Sequence, residues 1–129
     1  MTDTLETLSH RLLDAARKAG AEAADAIAIR GAALSIDIRA GALEQAERSE
    51  GTELGLRVLM GGRQACVSVS DISDRSMQAV AERAVAMARE APEDPHAGLA
   101  DPSQLARDRD AGWLELWDPA AEPAAADLE

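Results

Sequence analysis

The sequence of 129 residues contains no phenylalanine, no tyrosine, two tryptophans and one cysteine. Alanine supplies 29 of its 60 hydrophobic residues, so leucine, isoleucine, valine and methionine must fill the core. A single cysteine excludes a disulfide within the chain. No run of about 18 apolar residues is free of charges, which argues against a membrane-spanning helix. The length suits one compact domain with a tail and is too short for a multidomain enzyme.

Basic residues are also scarce, with 13 against 24 acidic ones and a net charge of −11. Residues 1–91 carry only −3 of this charge, whereas residues 92–129 carry −8 and all five prolines. The chain has no Lys/Arg stripe that could neutralise phosphates, so we expect no binding to nucleic acid. An anionic membrane surface would repel it. Asp3 and Glu6 stand where a signal peptide would be basic, so the expected location is the cytoplasm.

The first predicted helix covers residues 3–19. Asp3 is a candidate N-cap with a glutamate three residues later, and Gly20 suits the left-handed position that ends a helix. A second helix is predicted over about 74–91, capped by Ser73 or Asp74 and stopped by the proline at 92. The leucines of the first helix and the Met, Val and Ala residues of the second recur at helical spacing, so both helices are amphipathic.

Between the helices, apolar residues alternate with polar ones, which is typical of strands with one face on a core and one in water. Gly61-Gly62 predicts a tight hairpin turn. We therefore expect an α+β fold, in which both helices pack on one face of an antiparallel sheet of four or five strands. The predicted division is a domain over 1–91 and an acidic, Pro/Ala-rich tail or linker over 92–129. The alternating runs are 27–30, 34–39, 43–48 (the weakest), 54–59 and 64–70.

No catalytic, cofactor-binding or metal-ligating residue is predicted. A catalytic zinc needs three converging protein ligands, whereas His10, Cys66 and His96 belong to three different elements. Cys66 is expected to be a small packing residue in a strand rather than a reactive thiol. Gly61-Gly62-Arg63 joins two strands and does not lead into a helix, so we interpret it as a hairpin turn rather than an anion site. Four glutamates spaced three apart are expected to be solvated: Glu44, Glu47, Glu50 and Glu53. A further group lies at the end of the last strand without a His nearby in the sequence, so a catalytic triad is not expected: Ser68, Ser70 and Asp71.

Both tryptophans lie within the short tail segment GWLELWDP, residues 112–119. In a strand the two tryptophans would share one face, and in a helical turn they would be neighbours four residues apart. Two interpretations are open at this point. The segment folds back onto the domain, or it docks on another domain or subunit, since exposed apolar patches mark contacts.

Several motifs resemble the N-terminal domain of the TldD/PmbA family, whose members were named modulators of DNA gyrase. The similar stretches are GTELGLRVLMGGRQACVSVSDIS (51–73), IRAGALE (38–44), AVAERAVAMAREAPEDP (79–95), GLADPSQLA and LELWDP. The resemblance covers nearly the whole chain and is closer to PmbA, also called TldE, than to TldD. Family members are several times longer than this chain.

The resemblance implies a non-catalytic N-terminal domain in a cytoplasmic, zinc-dependent peptidase assembly that acts on unfolded peptides. Zinc would belong to an H-E-x-x-x-H segment of a TldD-type partner, and neither His10 nor His96 lies in such a motif. Implied partners are a TldD-type subunit or the protein's own C-terminal domain in a homo- or hetero-oligomer, and unfolded peptide. The alternatives are a free-standing protein-binding or regulatory module without activity and, less favoured, a small enzyme using Cys66.

Overall fold

A computed structural model of the chain describes residues 3–128 and confirms the α+β class. Two helices bracket a three-stranded sheet in the order β1-β2-β3. The count of four or five strands is not confirmed. The chain divides into two compact units: unit 1 is Met1–Gly31 with Glu50–Leu99, and unit 2 is Ala32–Ser49 with Ala100–Glu129. The elements are α1 (Leu5–Ala19), β1 (Ala23–Arg39), β2 (Ala42–Met60), β3 (Arg63–Val69) and α2 (Asp74–Glu90).

The sheet has fewer strands than expected because neighbouring predicted runs join into single strands. β1 continues through Gly31 and β2 continues through Gly51, so four predicted runs form two long strands. A Cβ added at either glycine would meet nothing within 4 Å, and neither glycine has a positive φ. An extended backbone therefore passes through both positions without strain.

Both hairpin turns contain two residues with positive φ. Ala40 and Gly41 join β1 to β2 with φ of 52° and 78°, and Gly61 and Gly62 join β2 to β3 with φ of 54° and 74°. Two consecutive left-handed residues are typical of the type I′ turn, whose twist matches that of antiparallel strands. The predicted Gly61-Gly62 hairpin is thus confirmed, and it sets a register in which Val58 faces Ala65.

The hydrophobic core lies in unit 1, where both helices cover one face of the sheet. Leucines of α1, alternate residues of β2 and the small residues of α2 form one buried cluster. Ala24, Ala26 and Ala28 of β1 pack at its margin. The alternation predicted for β1 is present, but the alanines face the helices and the isoleucines face away. The buried cluster is Leu8, Leu12, Ala16, Leu54, Leu56, Val58, Ala65, Met77, Ala81, Ala84, Val85 and Ala88.

Each helix is capped by a hydroxyl side chain. Thr4, and not the predicted Asp3, is the N-cap of α1, and its Oγ1 accepts the backbone N–H of Thr7 at 3.1 Å. Asp3 instead forms an ion pair with Arg11.

Gly20 has a φ of 99° and donates its N–H to the carbonyl oxygens of Ala16 and Arg17, as predicted for the end of α1. Ser73 caps α2, confirming one of its two predicted caps.

The β2–β3 turn connects three parts of unit 1. The Gly61 N–H donates to Glu22 Oε2 at 2.9 Å, and Asp94 N–H donates to the Gly62 carbonyl at 2.7 Å. Arg63 Nη1 donates to the carbonyl oxygens of Arg89 and Ala91 at 3.0 and 2.9 Å. Arg63 therefore satisfies two carbonyls that the end of α2 leaves without helical partners.

Unit 2 contains the parts of β1 and β2 next to the Ala40-Gly41 turn, and it also contains the tail. None of its described residues is buried. Arg48 joins strand to tail, because its guanidinium donates to both carboxylate oxygens of Glu122 at 2.8 and 3.2 Å. This contact holds the pKa of Glu122 below its ordinary value. The tail has three short 3-10 turns: Pro102–Gln104, Gly112–Leu114 and Ala125–Asp127.

Candidate functional site

The face of the sheet opposite the helices carries the first candidate surface, which we call the open face. It consists of Asp25, Ile27 and Ile29 on β1, Gly55 and Arg57 on β2, and Cys66 on β3. Ile27 and Ile29 are 59% and 53% exposed. Isolated exposed isoleucines are common on protein surfaces, but here two lie side by side on a strand of a sheet. The open face therefore exposes apolar side chains in unit 1, next to the charged residues Asp25 and Arg57.

A shallow cavity of about 340 Å³ crosses the open face at Gly55. A Cβ built at this glycine would lie 2.8 Å from Ile27 Cγ2, closer than real Cβ contacts allow. The missing side chain therefore lets Ile27 lie over β2. Glycine inside a strand often marks a place where another group approaches closely, so the sequence pattern at Gly55 is itself a signal of this contact.

An ion pair spans the open face beside this cavity. Arg57 Nε and Nη2 donate to the two carboxylate oxygens of Asp25 at 3.0 and 2.6 Å. The hydrogen bond to Asp25 is the main reason that the pKa of Arg57 is raised, and burial opposes it. Because both partners are part-exposed, the pair contributes little to stability and mainly fixes the position of the guanidinium.

Cys66 corrects one prediction, because its thiol is exposed rather than packed. It lies opposite Arg57 in the β2–β3 register, while its neighbour Ala65 points into the core. The period of two in β3 puts Ala65 and Cys66 on opposite faces, and only Ala65 meets the helices. Ala65, Val67 and Val69 thus share the core-facing side of β3, as the alternation in the run 64–70 indicates.

A polar groove lies between α1 and α2, with a volume of about 410 Å³. Arg11 lies in this groove with Lys18 and three carboxylates, and the hydrogen bond to Asp74 is the main reason that the pKa of Arg11 is raised. Its Nη2 also contacts the Ile72 carbonyl at 3.3 Å, and Asp3 is a further partner. The guanidinium is thus used to hold the starts of the two helices together.

The other candidate residues from the sequence analysis lie far from one another in the chain or are exposed to solvent. His10 is exposed on α1, 3.8 Å from Glu6, and the His96 backbone N–H donates to Asp94 at 2.8 Å after α2. Asp71 accepts the Ser73 backbone N–H at 2.9 Å, and this hydrogen bond is the main reason that its pKa is lowered. Asp71 therefore helps to begin α2. The four glutamates of the strand series are exposed, as expected.

These residues do not fit a zinc centre. Across residues 3–128, no three His, Cys, Asp or Glu side chains converge in a way that could hold a metal ion. The structure does not bring His10, Cys66 and His96 together. Within the same residues, no helix is long and apolar enough to cross a membrane.

The tryptophan segment, residues 112–119, is the second candidate surface. Trp113, Leu116 and Trp117 are 77%, 78% and 84% exposed. Its conformation is neither a strand nor an α-helical turn. Glu115 has a φ of 49° and ends the 3-10 turn Gly112–Leu114, donating its N–H to Gly112 at 3.2 Å. The high exposure does not support the interpretation that the segment folds back onto the domain.

Local hydrogen bonds hold the ends of the tryptophan segment. Asp110 Oδ1 accepts the Gly112 N–H at 2.9 Å, and Asp118 Oδ1 accepts the Ala120 N–H at 2.9 Å. Such Asp turns fix a backbone without help from distant residues. The segment therefore presents large apolar side chains from a defined local conformation.

Comparison with known proteins identifies the class to which this two-layer domain belongs. The family model described as PmbA/TldA metallopeptidase domain 1 matches residues 24–88, which extend from β1 through most of α2. This chain belongs to the PmbA/TldD family, as its motifs predicted.

One curated relative agrees with this assignment, and two solved structures have a similar fold. The Metalloprotease PmbA homolog of Haemophilus influenzae is 34% identical over 105 residues, covering 81% of this chain and 23% of that protein. A crystal structure of a protein named as a modulator of DNA gyrase, from Bacteroides thetaiotaomicron, has a TM-score of 0.76 at 21% identity. The similarity covers 84% of this chain and 24% of the Bacteroides protein. TldE from Thermococcus kodakarensis has a TM-score of 0.66 at 15% identity, covering 87% of this chain and 26% of TldE.

The two crystal structures show that the fold is shared. Because their sequence identity to this chain is low, they show nothing beyond the fold. The chain spans about a quarter of the length of these relatives. The family match therefore corresponds to the first domain of a longer architecture.

Proposed function

We propose that this chain acts as the non-catalytic N-terminal domain of a PmbA/TldD-type subunit in a zinc-dependent peptidase assembly of the cytoplasm. Its task is to shape a cavity or a subunit interface while another part of the assembly cleaves unfolded peptides. A TldD-type subunit or the protein's own C-terminal domain is the partner, in a homo- or hetero-oligomer. Zinc then belongs to the TldD-type subunit.

This proposal rests on the family match taken together with the side chains that could bind a metal. Residues 24–88 match domain 1 of a metallopeptidase family, yet the described side chains of this chain provide no converging metal ligands. Hydrolysis by a zinc-bound water requires about three protein ligands with an open fourth position. The residues of this chain therefore support a structural role in the peptidase.

The open face and the edge of β1 suggest how unfolded peptide is received. β1 is a terminal strand of the sheet, and extended peptides add to such edges through backbone hydrogen bonds. Ile27 and Ile29 of the open face lie along the same strand. Apolar side chains of a peptide would find complementary surface there.

The test is hydrolysis of denatured, fluorescently labelled casein by the purified chain in the presence of zinc. We expect no cleavage above the rate without protein, because the side chains of residues 3–128 do not converge on a metal that could activate water. Cleavage that a chelator abolishes and zinc restores would refute the non-catalytic role. A Cys66→Ser variant completes the experiment, because cleavage lost in that variant alone would indicate an enzyme using Cys66.

The exposed tryptophan segment favours the second candidate, a free-standing binding module without activity. The two candidates differ in the length of the gene product. A reading frame that continues beyond residue 129 into a larger domain supports the peptidase subunit, and a stop codon there supports the module.

A further inference from the structure

The tryptophan segment combines exposed aromatic side chains with a backbone that is held by local hydrogen bonds. Trp113 and Trp117 are exposed within five residues of each other, with Leu116 exposed between them. Tryptophan is the residue most enriched among those that dominate binding energy at protein interfaces. The segment also keeps its local conformation through the Asp110 and Asp118 turns, which lowers the ordering cost of binding.

The charge around these side chains has one sign. From Asp110 to the last residue the sequence has six acidic residues and no basic one. Glu122 is held by Arg48, whereas Asp110, Glu115 and Asp118 lie next to the tryptophans in the chain. A partner that buries the tryptophans must approach these three carboxylates, so basic groups at its rim lower the electrostatic cost. Arg and Lys also stack favourably on tryptophan rings.

We propose that the tryptophan segment docks onto a basic protein surface with an apolar cleft. The apolar cleft takes the indole rings, and Arg or Lys side chains at its rim meet Asp110, Glu115 and Asp118. Nucleic acid and anionic membranes are repelled by the same carboxylates. A second copy of this chain is disfavoured, because each copy carries a net charge of −11. The inference stands apart from the peptidase role, since it uses only exposed side chains and charge.

The test uses two synthetic amphipathic peptides as probes. Both carry leucines along one helical face, and the opposite face carries arginines in one peptide and glutamates in the other. The full chain is labelled with 5-fluorotryptophan, so that its two 19F signals report only on the tryptophan segment. We expect the arginine peptide to shift both signals and to bind more weakly as salt is added, whereas the glutamate peptide leaves the signals unchanged.

Matched variants separate the apolar and the charged contributions in calorimetric titrations with the arginine peptide. Trp113→Ala/Trp117→Ala is expected to weaken binding by about tenfold or more, whereas Leu105→Ala, an exposed leucine outside the segment, leaves the affinity unchanged. Glu115→Gln/Asp118→Asn is expected to lower the affinity and to make the affinity less sensitive to salt. Asp37→Asn/Glu47→Gln removes the same charge elsewhere and serves as its control. Circular dichroism establishes that every variant is folded.

Two results would overturn the proposal. Equal affinity of the tryptophan double variant and the unchanged chain would show that only non-specific charge attraction is measured. Equal binding of the glutamate peptide would show that the partner need not be basic. The casein assay tests the peptidase role separately, so failure of one proposal is distinguishable from failure of the other.

Discussion

Gly55 is the residue on which the shape of the open face depends. It lies in the middle of the central strand, where a side chain would project toward Ile27. Ile27 is β-branched and stiff at χ1, so moving its Cγ2 aside costs free energy. Gly55 is therefore needed for the close approach of β1 and β2 side chains, although its φ is not positive.

Gly55→Ala is expected to destabilise the chain by about 1 kcal/mol, because the new methyl group displaces Ile27. Ile27→Ala in the same chain should remove this cost, because the clashing Cγ2 is then absent. Urea unfolding of the two single variants and the double variant measures the coupling. Additive effects of the two substitutions would contradict the geometry described for the open face.

At the scale of elements, helix ends were predicted well because a few residue types determine them. Gly20 and Ser73 act as predicted, and α2 ends at Glu90 just before Ala91-Pro92. Strand ends were predicted poorly, since a glycine such as Gly31 is compatible both with a break and with a continuous strand. Which set of alternating residues faces the core also depends on the helices, which lie over the alanines of β1.

Arg63 gives the elements a testable connection. Arg63→Ala is expected to lower the free energy of unfolding by about 1–2 kcal/mol, because the carbonyls of Arg89 and Ala91 lose a charged donor at the end of α2. Arg75→Ala is the matched control, since Arg75 is an exposed arginine near the start of the same helix. Urea unfolding with equal midpoints for both variants would show that Arg63 does not hold the end of α2.

At the scale of the whole molecule, the core belongs to unit 1 and the most exposed aromatic side chains belong to unit 2. Composition alone predicted the acidic tail, and motif order predicted the family. The sequence left open whether Trp113 and Trp117 fold back or stay exposed, because apolar residues usually indicate burial whereas an exposed apolar patch marks a contact. Cys66 was expected to pack because a free cysteine in a strand is usually a small packing residue, although its alternation with Ala65 puts the two on opposite faces.

Deletion of residues 112–119 is expected to leave the free energy of unfolding within about 0.5 kcal/mol of the full chain, because its large side chains are exposed. Urea unfolding followed by circular dichroism measures this. A clear loss of stability would mean that the segment packs on the domain after all.

The central claim is that this chain is a scaffold without a metal centre of its own. Native mass spectrometry tests it most directly, after the chain has been equilibrated with excess zinc and transferred to zinc-free buffer. We predict that the chain retains no stoichiometric zinc, because His10, Cys66 and His96 are not brought together by the fold. Retention of one zinc per chain, lost when His10, Cys66 and His96 are all replaced by alanine, would contradict the account.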